Sequence, residues 1–66
     1  SMTTYDKPQT PKDALILALR LAITAPTEQG YREVAEMLPA LAADLTEREI
    51  EECTAIAKIQ VFDPTD

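Results

Sequence analysis

The sequence has few of the residues that usually stabilise or activate a small protein. It contains no histidine, one cysteine and one glycine among 66 residues. A single cysteine excludes an internal disulfide, and without histidine it cannot assemble a zinc site. A chain of this length forms one domain at most and buries only about 60% of the surface that its unfolded form exposes. Its stability therefore depends on helix packing or on self-association.

Positive charge is also scarce. Twelve acidic residues oppose six basic ones, which gives a net charge of −6. Phosphate groups and anionic membrane surfaces are bound by clustered Lys and Arg, whereas these six residues are scattered along the chain. The composition therefore argues against direct binding to nucleic acid or to a membrane. An acidic surface instead favours a basic protein partner.

No apolar run is long enough to cross a bilayer, which takes about 20 residues. Residues 14–23 are apolar and resemble the centre of a signal peptide. However, Asp6 and Asp13 precede this run, Arg20 interrupts it and Pro26 follows it, and these features are unlike a signal peptide. With the single cysteine, which fits a reducing compartment, they predict a cytoplasmic protein.

Three threonines mark the starts of predicted helices. Thr10, Thr27 and Thr46 each precede apolar residues spaced three and four apart, and Thr46 forms a capping box with Glu49. Signals for β-strands are absent. The predicted helices span about 11–25, 28–44 and 47–60. Because short connections make sequential helices pack antiparallel, we predict an all-α, antiparallel three-helix bundle.

The predicted helices form one domain, residues 10–61. We expect residues 1–9 to be a flexible arm and residues 62–66 to be a tail. Pro39 lies inside the second helix and either kinks it or breaks it. The apolar stripe keeps its phase across this proline, which favours a kinked helix.

Helical periodicity gives each predicted helix an apolar face that we expect in the core. In the first helix this face contains Leu15, Ala18, Leu19, Ala22 and Ile23. In the second it contains Tyr31, Val34, Ala35, Leu38, Leu41, Ala42 and Leu45. In the third it contains Ile50, Cys53, Ile56, Ala57 and Val61. Cys53 is therefore expected to be a buried, unreactive thiol, and the ring of Tyr31 to belong to the core.

The first helix carries a second apolar strip, formed by Ala14, Leu17 and Leu21. The polar side of this helix is narrow and holds Asp13, Arg20 and Thr24. A helix that is apolar nearly all round is usually buried nearly all round, and two helices of this length do not surround a third. The sequence therefore predicts a helical-bundle homodimer, with this strip and Arg20 at the self-interface.

The sequence leaves two other ways in which this strip is covered. The N-terminal arm with Tyr5, or the tail with Phe62, would fold over it, or a foreign partner would bind it. Arg20 either lies at the solvent edge of the interface or forms an ion pair within it.

Four glutamates cluster at the start of the third helix, and they have two interpretations. They stabilise the helix through its cap and macrodipole, or they form a functional surface, either a cation site or a docking surface for a basic partner. The candidates for that surface are Glu47, Glu51 and Glu52. We find no catalytic, metal-binding or cofactor-binding constellation, and therefore predict a non-enzymatic protein that binds or regulates a protein partner. The alternatives are an acidic inhibitor that imitates nucleic acid and a small-ligand binder at the apolar strip between subunits.

Two stretches of the chain support a resemblance. They are Thr10-Pro11-Lys12-Asp13-Ala14-Leu15-Ile16-Leu17-Ala18-Leu19 with Thr24-Ala25-Pro26-Thr27, and Leu45-Thr46-Glu47-Arg48-Glu49-Ile50-Glu51-Glu52-Cys53. They cover about half of the chain and resemble short uncharacterised proteins of cyanobacteria and of the phages that infect them. The resemblance implies a cytoplasmic accessory protein in a photosynthetic host, and it transfers no functional residue.

Overall fold

The computed structural model describes residues 10–63, which form three α-helices and no strand. The helices are α1 (Pro11–Thr24), α2 (Glu28–Ala42) and α3 (Glu47–Phe62). The all-α class is confirmed, and each helix begins and ends within two residues of its predicted bounds. The predicted arm, residues 1–9, and the last part of the predicted tail, residues 64–66, lie outside the described residues.

Each helix begins at the threonine that the sequence indicated. The Oγ1 atoms of Thr10, Thr27 and Thr46 accept hydrogen bonds from the backbone N–H groups of Asp13, Gly30 and Glu49, at 3.1, 3.0 and 3.1 Å. Only Thr46 has a complete capping box, because its own backbone N–H donates to the Glu49 carboxylate at 2.9 Å. These bonds satisfy amide groups that the first turn of a helix leaves without partners.

The helix ends differ slightly from the prediction. Helix α1 stops at Thr24, because the residue before Pro26 avoids helical geometry. Helix α2 continues across Pro39, so it is not broken there. Helix α3 extends to Phe62, and the backbone N–H of Asp63 donates to the carbonyl of Ile59 at 2.8 Å. Phe62 is therefore the last helical residue and not the start of a tail.

Helix α1 is central to the packing. It contacts both α2 and α3 extensively, whereas α2 and α3 barely contact each other. The buried residues of the described chain belong to α1 (Leu15, Ala18 and Ala22) and to α3 (Cys53 and Ala57), and none belongs to α2. Since α3 barely contacts α2, its buried side chains lie against α1. Four of these five residues are small, so the core contains one large buried side chain, that of Leu15.

Two residues assigned to the core by the sequence are exposed instead. Ile56 is 38% exposed, because the buried side of α3 is centred on Cys53 and Ala57, and Ile56 projects well to one side of it. Tyr31 is 52% exposed although it lies on the apolar stripe of α2. Both core predictions were therefore wrong.

Candidate functional site

The second apolar strip of α1 is partly exposed in the described chain. Leu17 is 38% exposed and Leu21 is 52% exposed, and Ala14 is half-buried. Leu17 and Leu21 are one helical turn apart and therefore lie on the same side of α1. Arg20 beside them is exposed. None of the four residues that the sequence assigned to a self-interface is among the buried residues of α1.

Phe62 does not cover this strip, because 71% of its surface is exposed. The other internal cover considered from the sequence, the arm with Tyr5, lies outside the described residues. Within residues 10–63, nothing shields Leu17 and Leu21 to the degree that the core shields Leu15.

Charged and polar side chains border the strip. Asp13, Arg20 and Thr24 are all exposed, and the Thr24 hydroxyl donates to the carbonyl of Arg20 at 2.8 Å. The ion pairs among the described residues are Lys12–Glu52 and Arg32–Glu28, so neither Asp13 nor Arg20 belongs to one. The strip is thus an apolar surface bordered by one acidic and one basic side chain.

Two of the four clustered glutamates on α3 already have structural roles. The carboxylate of Glu49 completes the capping box, and that of Glu52 accepts a hydrogen bond from Lys12 Nζ at 3.2 Å. Glu47 and Glu51 are exposed and take part in no ion pair within the described chain. Of the three candidates for a partner surface, Glu52 alone is engaged with α1, although its side chain stays exposed.

Cys53 lies next to the Lys12–Glu52 pair but is shielded from solvent. Its thiol is fully buried and contacts the backbone carbonyl of Lys12, with 3.7 Å between Sγ and the oxygen. Burial raises the pKa of the Cys53 thiol above its usual value, which disfavours the thiolate that a nucleophile or metal ligand requires. The hydrogen bond to Glu52 raises the pKa of Lys12 and keeps that amine charged. This cluster joins α1 to α3.

The polar face of α2 carries a surface depression. It is lined by Glu28, Gln29, Arg32, Glu33 and Glu36. All five residues belong to one helix, so no second element closes over the depression as in an enzyme cleft. In the described range, no group of three or more His, Cys, Asp or Glu residues is placed to hold a metal ion. None of the helices α1 to α3 is both long enough and apolar enough to cross a membrane.

A set of exposed apolar residues on α3 was not predicted from the sequence. Ile56, Ile59 and Phe62 follow one another at steps of three, and Ile59 is 58% exposed. Ile56 is three residues from both Cys53 and Ile59, so spacing alone does not show which of the two groups it belongs to. Interpretation of these surfaces rests on the residues of the chain itself, because no family model, curated protein or solved structure matches it.

Proposed function

We propose that this chain is a non-enzymatic helical protein that forms a homodimer through α1 and binds or regulates a basic protein in the cytoplasm. The observation that carries the proposal is the exposure of Leu17 and Leu21 on a helix that is otherwise the centre of the packing. Each subunit is an antiparallel three-helix unit. Support for this arrangement comes from the links between helices, residues 25–27 and 43–46, which are too short to return the chain before the next helix starts.

The small core makes dimerisation energetically valuable. Complete burial of a leucine side chain contributes roughly 1.5–3 kcal/mol. A dimer that covers Leu17 and Leu21 in both subunits buries four leucine side chains. Each of them contributes a substantial part of this burial free energy. Small domains have a total stability of roughly 5 kcal/mol, so such a gain is large for a chain whose core holds one large buried side chain.

The acidic charge of the chain supports a basic partner. The net charge is −6, and the Glu47 and Glu51 carboxylates at the start of α3 are exposed. A dimer through α1 uses an apolar surface and leaves these carboxylates in solvent. They favour encounter with a basic protein surface and disfavour an acidic one.

The self-interface is tested by light scattering during size-exclusion chromatography of the wild type, Leu17→Glu and Ala40→Glu. Ala40 is exposed on α2, so this control adds the same charge to a helix surface outside the strip. We expect a dimer for the wild type and for Ala40→Glu, and a monomer or an unfolded chain for Leu17→Glu. A wild-type monomer, or equal effects of the two substitutions, would contradict the self-interface.

The partner surface is tested by affinity capture from a native extract with the wild-type chain as bait. We expect a basic protein that is lost when Glu47 and Glu51 are both changed to Gln, with the dimer intact. The matched control changes Glu33 and Glu36 to Gln on the polar face of α2, which removes the same charge. Recovery of no specific protein, or equal loss with the control, would refute the proposal of a basic partner.

A further inference from the structure

The residues along the exposed strip of α1 are arranged almost symmetrically about Leu17. Asp13 and Arg20 lie four residues before and three residues after Leu17, and Ala14 and Leu21 lie three before and four after. A line drawn along the helix surface through Leu17 divides the strip into two flanks. With 3.6 residues per turn, Asp13 and Arg20 lie on one flank, about 50° around the helix from this line. Ala14 and Leu21 lie on the other flank, also about 50° away. One flank is therefore charged, with opposite signs at its two ends, and the other is apolar.

Asp13 and Arg20 do not pair with each other within one helix. They are seven residues apart, or about 10 Å along the axis, whereas side chains three or four apart are neighbours on a helix. Both side chains are exposed, and neither takes part in the ion pairs of residues 10–63. Each charge is available to an opposite charge on another molecule.

We infer that a second copy of this chain occupies the strip, with the two α1 helices antiparallel, Leu17 at the two-fold axis, and reciprocal Asp13–Arg20 ion pairs between copies. This inference rests on the proposed homodimer and specifies its geometry. A two-fold axis that passes beside Leu17, perpendicular to α1, relates the two copies and makes their α1 helices run in opposite directions. Each residue that follows Leu17 in one copy then lies opposite a residue that precedes Leu17 in the other copy. Asp13 of each copy then meets Arg20 of the other, and Ala14 meets Leu21.

The parallel arrangement lacks this complementarity. With the two-fold axis along the helices, the charged flank of one copy faces the apolar flank of the other. Asp13 and Arg20 would then lie beside Ala14 and Leu21 and lose solvent without gaining a partner, which is unfavourable. The distribution of charge along α1 therefore distinguishes the antiparallel pair from the parallel one. Ala14 also suits the antiparallel pair, since its small side chain leaves room for the opposing Leu21.

The arrangement is tested by mixing two charge-reversed variants, Asp13→Lys and Arg20→Glu. Alone, each variant puts like charges at both ion-pair positions, so its dimer dissociation constant should rise about tenfold or more. In the mixture, the antiparallel heterodimer regains both attractive pairs. The introduced lysine of one variant meets the introduced glutamate of the other, and the native Arg20 of the first meets the native Asp13 of the second. Native mass spectrometry should show nearly all dimer as heterodimer, well above the half expected from random pairing.

The control mixes Glu33→Lys with Arg32→Glu on α2, which reproduces the same two changes in net charge away from α1. This mixture should give random pairing. Random pairing in the Asp13→Lys and Arg20→Glu mixture overturns the antiparallel geometry and leaves the homodimer standing, provided that the wild type is a dimer. A monomeric wild type overturns both the geometry and the homodimer.

Circular dichroism reports whether each charge-reversed variant remains helical. If either variant loses its helical signal alone, the neutral changes Asp13→Asn and Arg20→Gln replace the reversals. Because the two residues act as one pair, the double variant should weaken the dimer no more than the stronger single change. Additive losses, or no loss in either single variant, would overturn the ion pairs.

Discussion

Helices α2 and α3 contribute very differently to the core, although the sequence predicts both as amphipathic. Helix α2 has an apolar stripe that keeps its phase over four turns, yet none of its residues is fully buried. Helix α3 has a less regular pattern, yet Cys53 and Ala57 are completely shielded. The apolar pattern determines where a helix forms, but the neighbouring helices determine what is buried. Helix α3 lies against α1 on a side of small residues, which allow a close approach.

The largest expected effect comes from the single large side chain of the core. Leu15→Ala should lower the free energy of unfolding by about 2–5 kcal/mol, because it removes a fully buried side chain and leaves a cavity. Met37→Ala on α2 is the matched control and should cost less than about 1 kcal/mol, because Met37 is 54% exposed. Urea unfolding followed by circular dichroism measures both.

This pair of substitutions tests the contrast between the two regions directly. A loss for Met37→Ala as large as that for Leu15→Ala would show that α2 contributes to the core as strongly as the contact between α1 and α3. Such a result would contradict the structure, in which Met37 is exposed and α2 has no buried residue.

The helix bounds were largely predictable because their causes are local. Threonine caps at Thr10, Thr27 and Thr46 and the proline after α1 act within one turn of the chain, and the structure has all three starts where they were predicted. The continuity of α2 across Pro39 followed from the unbroken phase of its stripe. These features require no knowledge of the neighbouring helices.

The exposure of Tyr31 and Ile56 was not predictable in the same way. Helical periodicity gives the direction of a side chain about its own helix, but it does not say whether another helix lies in that direction. Tyr31 and Ile56 each lie on an apolar stripe, yet no neighbouring helix buries them. The strip at Leu17 and Leu21 was easier to recognise, since α1 has more apolar surface than two neighbours cover.

A smaller effect is expected at the helix caps. Thr46→Ala should lower the free energy of unfolding by about 1 kcal/mol. It removes the hydrogen bond that the Thr46 side chain accepts in the complete capping box at the start of α3. Thr27→Ala removes a single hydrogen bond at the start of α2 and should cost less. The reason is that fraying of α2 uncovers no fully buried residue. Thermal unfolding of the two variants under identical conditions measures the difference. A greater loss of stability for Thr27→Ala would show that the start of α2 contributes more to stability than the start of α3.

The smallest expected effect is a loss of stability at high pH that originates between α1 and α3. Burial raises the pKa of Cys53 in the folded chain above the ordinary thiol value of 9.0. The unfolded chain therefore releases this proton first, so the stability is complete below about pH 9 and falls as pH rises through the folded-state pKa. The raised pKa of Lys12 acts in the same direction at higher pH, above 10.5.

Urea midpoints at about pH 7.5 and about pH 10 measure this loss for the wild type and for Cys53→Ala. The substituted chain should lose less stability between the two values, because it has no thiol to ionise. An equal loss in both chains would show that the Cys53 thiol is not protected by the contact between α1 and α3.

We propose that the exposed strip of α1 holds two copies of this chain together. Sedimentation equilibrium of the unmodified protein over a series of concentrations tests it most directly. We expect a species of twice 7.3 kDa that dissociates only on dilution. A mass of 7.3 kDa at every concentration, with the helices intact, would contradict it.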